Sequence, residues 1–307
     1  MLYENCQLCP NKCGVNRNLV KGICGQTSQV KIAWVGLHRG EEPPITGKNG
    51  SGMIFFSGCP LHCAYCQNHQ ISKKEDAVGF TITDEELATL MLELQSFGAT
   101  TLNLVTGTHF IPSIIKALEL AKKKGFKLPV VWNSSGYESV EALALIDPYI
   151  DLYLLDVKTL SPEVAVKFCG REKYVEAIKP VVRYLAKTHP ITDMDKLKGV
   201  LVRHLVFPGT MDATFYFLSW FAKHYKENFL LSLMVQFVDP KGMVFPKVSE
   251  AEYNRLLTLL DELDLDGFVQ EIGDEDKWIP DFTQDCPFPH PFADVLPYFL
   301  ELKNSRS

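Results

Sequence analysis

From Ser51 onward, short apolar runs alternate with longer stretches of helical spacing. The runs cover residues 53–56, 102–105, 128–132, 152–155, 200–206 and 230–235. Each is almost continuously hydrophobic, as a strand covered on both faces requires. Between them lie stripes that repeat near the helical period. Leu87, Leu90, Met91 and Leu94 follow Thr83 and Glu86, which are spaced as a capping box. Ile114, Ile115, Leu118 and Ala121 form a second stripe, stopped by Gly125. Val175, Ile178, Val182 and Leu185 form a third, and Phe215, Leu218, Phe221 and Ala222 a fourth. Leu256, Leu257, Leu260 and Leu263 make the last. All five read as core faces.

Six β-then-α units in series predict a parallel sheet with right-handed crossovers. The expected fold is therefore α/β, a partial (β/α)6 barrel of the TIM type. A doubly wound sheet has the same periodicity and is the alternative. Both place chemistry at the C-terminal ends of the strands. Residues 1–50 have another texture, rich in Cys, Gly, Asn and Pro with little periodicity. They are read as a small Cys-rich, metal-binding appendage, residues 51–271 as the barrel and 272–307 as an irregular tail. That tail carries Trp278, Phe282, Phe288 and Phe292.

Composition narrows the picture. A chain of 307 residues with 46% hydrophobic and 22% charged residues is neither disordered, nor a coiled coil, nor a membrane bundle. A net charge of -6 offers no basic excess to meet a nucleic-acid backbone. No apolar run reaches the ~18 residues of a membrane span. The N-terminus also lacks the basic-then-apolar pattern of a signal peptide, so a cytoplasmic location is expected. The unusual feature is nine cysteines, crowded toward the start of the chain. In a reducing compartment, clustered thiols bind metal or do redox work.

The strongest motif follows the first apolar run: Cys59, Cys63 and Cys66 in the order C-x3-C-x2-C. Three thiolates can hold three corners of a [4Fe–4S] cluster and leave one iron open for a ligand. A zinc site completed by His62 or His69 is the alternative, although zinc sites usually pair two short Cys elements across a longer gap.

Together with Tyr65, this loop resembles the radical S-adenosylmethionine (SAM) superfamily. The resemblance implies that Cys59, Cys63 and Cys66 hold the cluster and that SAM chelates its open iron. Reduction then cleaves a C–S bond of SAM and yields a 5′-deoxyadenosyl radical that abstracts hydrogen. It implies further that Tyr65 lies against the adenine. Later segments are similar to the pyruvate formate-lyase activating enzyme-like branch. Thr106, Gly107 and Thr108 stand where those enzymes hold the SAM amino group, though no acidic residue is present here. Asn133 and Ser135 match the segment that reaches the ribose or carboxylate. Asp156 and Lys158 resemble a Leu-Asp-hydrophobic-Lys strand end, and Arg203 and His204 a strand that meets SAM from the far side. The implied partners are a low-potential electron donor such as flavodoxin or ferredoxin, and a protein substrate such as the glycyl loop of a partner enzyme. Radical modification of a small metabolite or RNA is the second reading. A non-catalytic Fe–S or zinc scaffold is the third.

Before the first run, Cys6, Cys9, Cys13 and Cys24 form C-x2-C-x3-C-x10-C. Four soft ligands so spaced can close a tetrahedral zinc site or a second Fe–S cluster. Cys169 and Cys286 stand alone and read as bystander thiols. His38, Arg39, Glu41 and Glu42 read as a solvated loop. The Gly-Lys stretch that follows has the wrong spacing for a phosphate loop.

Overall fold

The computed structural model describes residues 2–240, 242, 245–273 and 279–306; Trp278 lies outside the described residues. Ten strands form one sheet: β1 (Val30–His38), β2 (Ser51–Phe56), β3 (Phe80–Ile82), β4 (Leu102–Val105), β5 (Val130–Ser134), β6 (Leu152–Asp156), β7 (Gly199–Leu205), β8 (Leu230–Met234), β9 (Gly267–Val269) and β10 (Ala293–Val295). Their order is β10-β1-β2-β4-β5-β6-β7-β8-β9, with β3 also beside β1. Neighbours from β2 to β9 are parallel, whereas β1 runs antiparallel to β2. The sheet does not close, so the molecule is an open, partial α/β barrel.

All six apolar runs are strands of this barrel, because a run with no polar face can be buried on both sides. The helical stripes follow the same logic. Thr83 and Glu86 form both halves of the capping box that starts the helix Asp84–Ser96. That helix buries Leu87, Leu90, Met91 and Leu94 completely. The helix Tyr174–Thr188 turns Val175, Ile178, Val182 and Leu185 inward in the same way.

Two regions differ from the sequence expectation. Inside residues 1–50 lies the nine-residue strand β1, with Ile32, Trp34 and Val35 buried. Its apolar run is flanked by Cys-, Gly- and Pro-rich loops, and their composition hides it. The last residues are also more regular than expected, supplying β10 and the helix Pro297–Asn304. Residues 279–292 remain irregular, but Phe282 and Phe288 pack on Phe55 at ring separations of 5.4 and 5.7 Å. The tail thereby covers the face of the β1–β2 pair. A short seventh parallel strand, β9, extends the sheet; three residues are too few for a periodicity to show.

The inner face of the barrel is closed from below by the loop between β1 and β2. Its short helix Pro43–Thr46 places Ile45 against Val131, Leu152, Leu154 and Leu201, all fully buried. The other face of these strands packs on the helices. No helix among the described residues is long and apolar enough to cross a membrane.

Because Ile45 fills the space between strands that cannot close over it, Ile45→Ala should leave a cavity. The expected loss is about 2–5 kcal/mol, read as a lower urea midpoint with unchanged slope.

Candidate functional site

The loop after β2 is fixed at its root before it reaches the cysteines. Ser57 donates its hydroxyl to Val78 O at 2.6 Å and accepts at its own carbonyl from His109 Nε2 at 2.8 Å. Gly58 has φ +83, and a Cβ there would stand 2.7 Å from Cys24 O. Only glycine fits that approach.

Cys59, Cys63 and Cys66 are half-buried residues with free thiols beyond this root. The Leu61 N–H points at Cys59 Sγ (3.4 Å), and the Ser72 hydroxyl donates to Cys66 Sγ (3.3 Å). Such donors favour a thiolate, the form that binds iron. Burial opposes it, pushing Cys59 up to about 12 and Cys66 up to about 11, with Cys63 adding in each case. Loading a cluster must therefore release protons. Cys63 is pushed up first by Cys169, whose thiol lies against it. Cys169 is thus no bystander in position; the fold carries it to the cluster loop from more than a hundred residues away. Among the described residues, no group of three or more His, Cys, Asp or Glu side chains is already converged as an ion would hold it.

Beside the thiols, at the strand ends, runs a line of alternating charge. Asp156, Arg203 and Ser232 are register partners on β6, β7 and β8. Lys158 Nζ meets Asp156 Oδ2 at 2.6 Å and stands 5.9 Å from the Tyr65 ring centre. Burial alone would lower the Lys158 pKa, but Asp156 and then Cys63 more than offset it, so the ammonium stays charged. Arg203 is gripped by Glu42, with Nε to Oε1 at 2.9 Å, and by Glu41. The side chains of Arg203, Glu41 and Glu42 are only 12%, 8% and 9% exposed. The expectation of a solvated loop at Glu41 and Glu42 is therefore corrected. Arg203 is a buried cation that cannot lie in an apolar interior without carboxylates, and it draws both inside. Burial would also lower the Arg203 pKa; Glu41 and Glu42 raise it instead.

The remaining sequence-selected residues divide. Tyr65 packs among Phe168, Phe207 and Phe237. Asn133 lies in register with Val105 and Leu154 on the inner row. Thr106 has φ +59, a strained conformation for a β-branched residue, of the kind that concentrates at functional turns. A Cβ on Gly107 would stand 2.7 Å from Ile114 Cδ1, so Gly107 lets the turn pack closely. Thr108 donates to Glu138 Oε1 at 2.8 Å, and Trp132 Nε1 reaches the same oxygen. This bond ties two strand ends together. Ser135 contributes its carbonyl, which faces the Tyr174 hydroxyl at 3.0 Å; that hydroxyl also takes the Lys158 N–H at 2.9 Å. His204 is not brought to the interior. It stacks on Phe217 at 4.0 Å, bonded to Val157 O and the Thr214 hydroxyl, within the helix layer. Strand alternation explains the split, because neighbours Arg203 and His204 must point to opposite faces.

The residues present fit a cluster and SAM. Tyr65 Oη, Asp156 Oδ1 and both side-chain polar atoms of Asn103 are buried without partners. Buried polar groups are rarely left so unless a ligand or water satisfies them. Asn103, Glu42, Cys169 and Tyr174 escape sequence reasoning, since each lies in a segment whose pattern reads as loop or core.

An open parallel barrel carrying a cysteine triplet on the loop after its first parallel strand defines a class of proteins equipped to hold a metal cluster at the strand C-termini. The sequence model of the radical SAM superfamily matches residues 53–216, and the chain belongs to that superfamily. An uncharacterised protein of Methanocaldococcus jannaschii is 28% identical over 284 residues, covering 86% of this chain and 77% of that protein. The pyruvate formate-lyase-activating enzyme of Clostridium pasteurianum is 25% identical over 179 residues, 55% of this chain and 67% of the relative. Among solved structures, a radical SAM methyltransferase from Sphaerobacter thermophilus shares the fold at a TM-score of 0.52 and 11% identity, covering 74% of this chain and 68% of that one.

Burial holds the His204 pKa down to about 4 against an ordinary 6.5. The unfolded chain therefore takes up a proton that the folded one refuses as pH falls from about 6.5 to about 4. Stability is lost over that window, by at most about 1.4 kcal/mol per pH unit for this group. His204→Asn should flatten the acid limb in urea titrations and leave SAM affinity unchanged. A weakened SAM affinity would instead return His204 to the binding site.

Proposed function

We propose that this protein reductively cleaves SAM at a [4Fe–4S] cluster and uses the resulting radical to abstract hydrogen, as an activating-enzyme-like oxidoreductase. The observation that carries the reading is the junction of the triplet Cys59, Cys63 and Cys66 with the Lys158–Asp156 pair and the unpartnered Tyr65 and Asn103 groups. Bound there, the cluster and SAM would supply a 5′-deoxyadenosyl radical after one electron enters from a flavodoxin- or ferredoxin-like donor. The chain's own part is to bind and orient. Three thiolates take three irons, and hydrogen bonds from Leu61 N–H and Ser72 moderate their charge. The Lys158 ammonium and Asp156 carboxylate offer one partner each to the zwitterionic end of an amino acid. Tyr65, Phe168 and Phe207 make an apolar wall that keeps water from a reactive centre. Asn133, Ser135, Arg203 and the Thr106, Gly107 and Thr108 turn shape the rim.

The similarity to a pyruvate formate-lyase-activating enzyme supports a protein substrate, which we take to be the glycyl loop of a partner enzyme met in the cytoplasm. An acidic chain disfavours RNA as substrate. Cys6, Cys9, Cys13 and Cys24 would hold a second metal, zinc or Fe–S, outside the SAM site.

Anaerobically reconstituted protein with dithionite should convert SAM to 5′-deoxyadenosine and methionine. The Cys59→Ala, Cys63→Ala, Cys66→Ala variant should show no product above background. Equal product from wild type and variant would remove the assignment. A glycyl EPR signal on an incubated candidate partner, with its α-deuterium recovered in 5′-deoxyadenosine, would identify the substrate.

A further inference from the structure

Arg17 is completely buried, yet its hydrogen bonds run to carbonyl oxygens of Gln26, Thr27 and His109 and to Cys6 Sγ at 3.9 Å. None of these partners is a carboxylate. Its guanidinium also lies over the Tyr3 and Phe110 rings, at 5.1 and 5.6 Å. A full positive charge in such surroundings needs a negative one close by. The groups beside it that can become anionic are thiols and the Tyr3 phenol, and burial holds that phenol's pKa up. Cys6 and Cys24 are buried with it, and a Cβ on Gly22 would touch Arg17 Cδ, Cys13 Sγ and Cys24 Sγ at 3.4–3.5 Å. Cys9 interacts electrostatically with Cys24, Cys6 and Cys13.

The backbone is shaped to present these thiols from two sides. One turn is a hairpin in which Cys6 N–H bonds Val15 O and Gly14 N–H bonds Cys6 O, carrying Cys6, Cys9 and Cys13. The second is the tight turn at residues 22–26, carrying Cys24. Cys13 and Cys24 are each followed by a glycine of left-handed conformation, Gly14 at φ +65 and Gly25 at φ +80. Three sulfurs from one hairpin and a fourth from the turn facing it, with Cys13 and Cys24 each followed by a glycine turn, make a four-thiol donor set that can close around a tetrahedral zinc ion.

The same segment grips the cluster loop at several points. Asn11, between Cys9 and Cys13, donates to Pro60 O at 2.7 Å. Ile23 O, next to Cys24, meets His62 Nε2 at 3.0 Å. Cys24 O abuts Gly58. Arg17 bonds His109 O, and His109 in turn bonds Ser57 O. Contacts therefore reach residues 57, 58, 60 and 62, on either side of Cys59.

We propose that Cys6, Cys9, Cys13 and Cys24 hold a Zn2+ ion, that Arg17 balances the charge of its thiolates, and that the closed site clamps the loop bearing Cys59, Cys63 and Cys66. Binding exchanges four thiol protons for one divalent ion and transfers no electrons. The ion makes no contact with substrate; Arg17 and the four cysteines are positioning residues. The clamp rests on the cluster reading above, whereas the zinc site does not.

Metal analysis of the full-length Cys59→Ala, Cys63→Ala, Cys66→Ala protein separates the two. One zinc per chain and no iron is expected. Iron with labile sulfide in place of zinc, or no metal at all, overturns the zinc site whatever becomes of SAM cleavage. In the otherwise wild-type chain, Cys9→Ser with Cys24→Ser should lose zinc and keep iron. Arg17→Met should weaken zinc retention against a competing chelator at least tenfold, with Arg17→Lys recovering most of it. For the clamp, the readout is release of cluster iron to an iron chelator. It should run about tenfold faster after zinc loss, as for removal of outer-shell support. Zinc withdrawn from folded wild-type protein by a zinc-selective chelator gives the same comparison without mutation. An unchanged iron-release rate in the zinc-free protein overturns the clamp.

Discussion

A buried guanidinium in an open barrel sets much of the interior. Arg203 projects from β7 into the barrel between Asp156 and Ser232, almost wholly buried, where its charge is tolerable only with carboxylates at hand. Glu41 and Glu42 supply them, and they can do so only if the loop between β1 and β2 enters the barrel. That entry carries Ile45 into the apolar layer of β5, β6 and β7. One electrostatic requirement thus closes the floor of a sheet that does not close on itself. It also fixes the neighbouring charges, since Asp156 is the register partner of Arg203 and holds Lys158 beside the cysteine loop.

The two ends of the chain serve the same rim from outside the barrel series. The N-terminal segment braces the cysteine loop through Asn11, Ile23 and the path from Arg17 to His109 and Ser57. The C-terminal segment reaches it through Gln70, which donates to Asp281 at 2.9 Å and accepts from Phe282 N–H at 2.6 Å. A loop with Gly58 and His62 both at positive φ does not hold its shape by local preference. It needs neighbours on both sides, and distant sequence provides them. Membership in the radical SAM superfamily is consistent with this construction, because cluster ligands must be held rigidly while one iron stays open.

Legibility followed interaction range. The six parallel strands were readable because continuous apolar runs report burial on both faces, and the capping box because its partners lie three residues apart. The triplet was readable because metal spacing is local. Strand β1 was obscured by the composition of its flanks, and β9 and β10 are too short to show a period. His204 was grouped with Arg203 by position along the strand, although alternation sends it toward Phe217. Cys169 looked isolated only because its partner, Cys63, is remote in sequence.

By itself the sequence determined a parallel α/β sheet, the loop that carries three thiols and the crowding of cysteines near the start. Each depends on periodicity or spacing within a few residues, where chain geometry leaves little freedom. Only the tertiary structure decided which polar residues meet. It brought Glu41 and Glu42 to Arg203, Cys169 to Cys63, Arg17 to the N-terminal thiols and those thiols to the cluster loop. Such pairings arise from the cost of burying charge and polar atoms alone, a cost that exists only once the chain has packed.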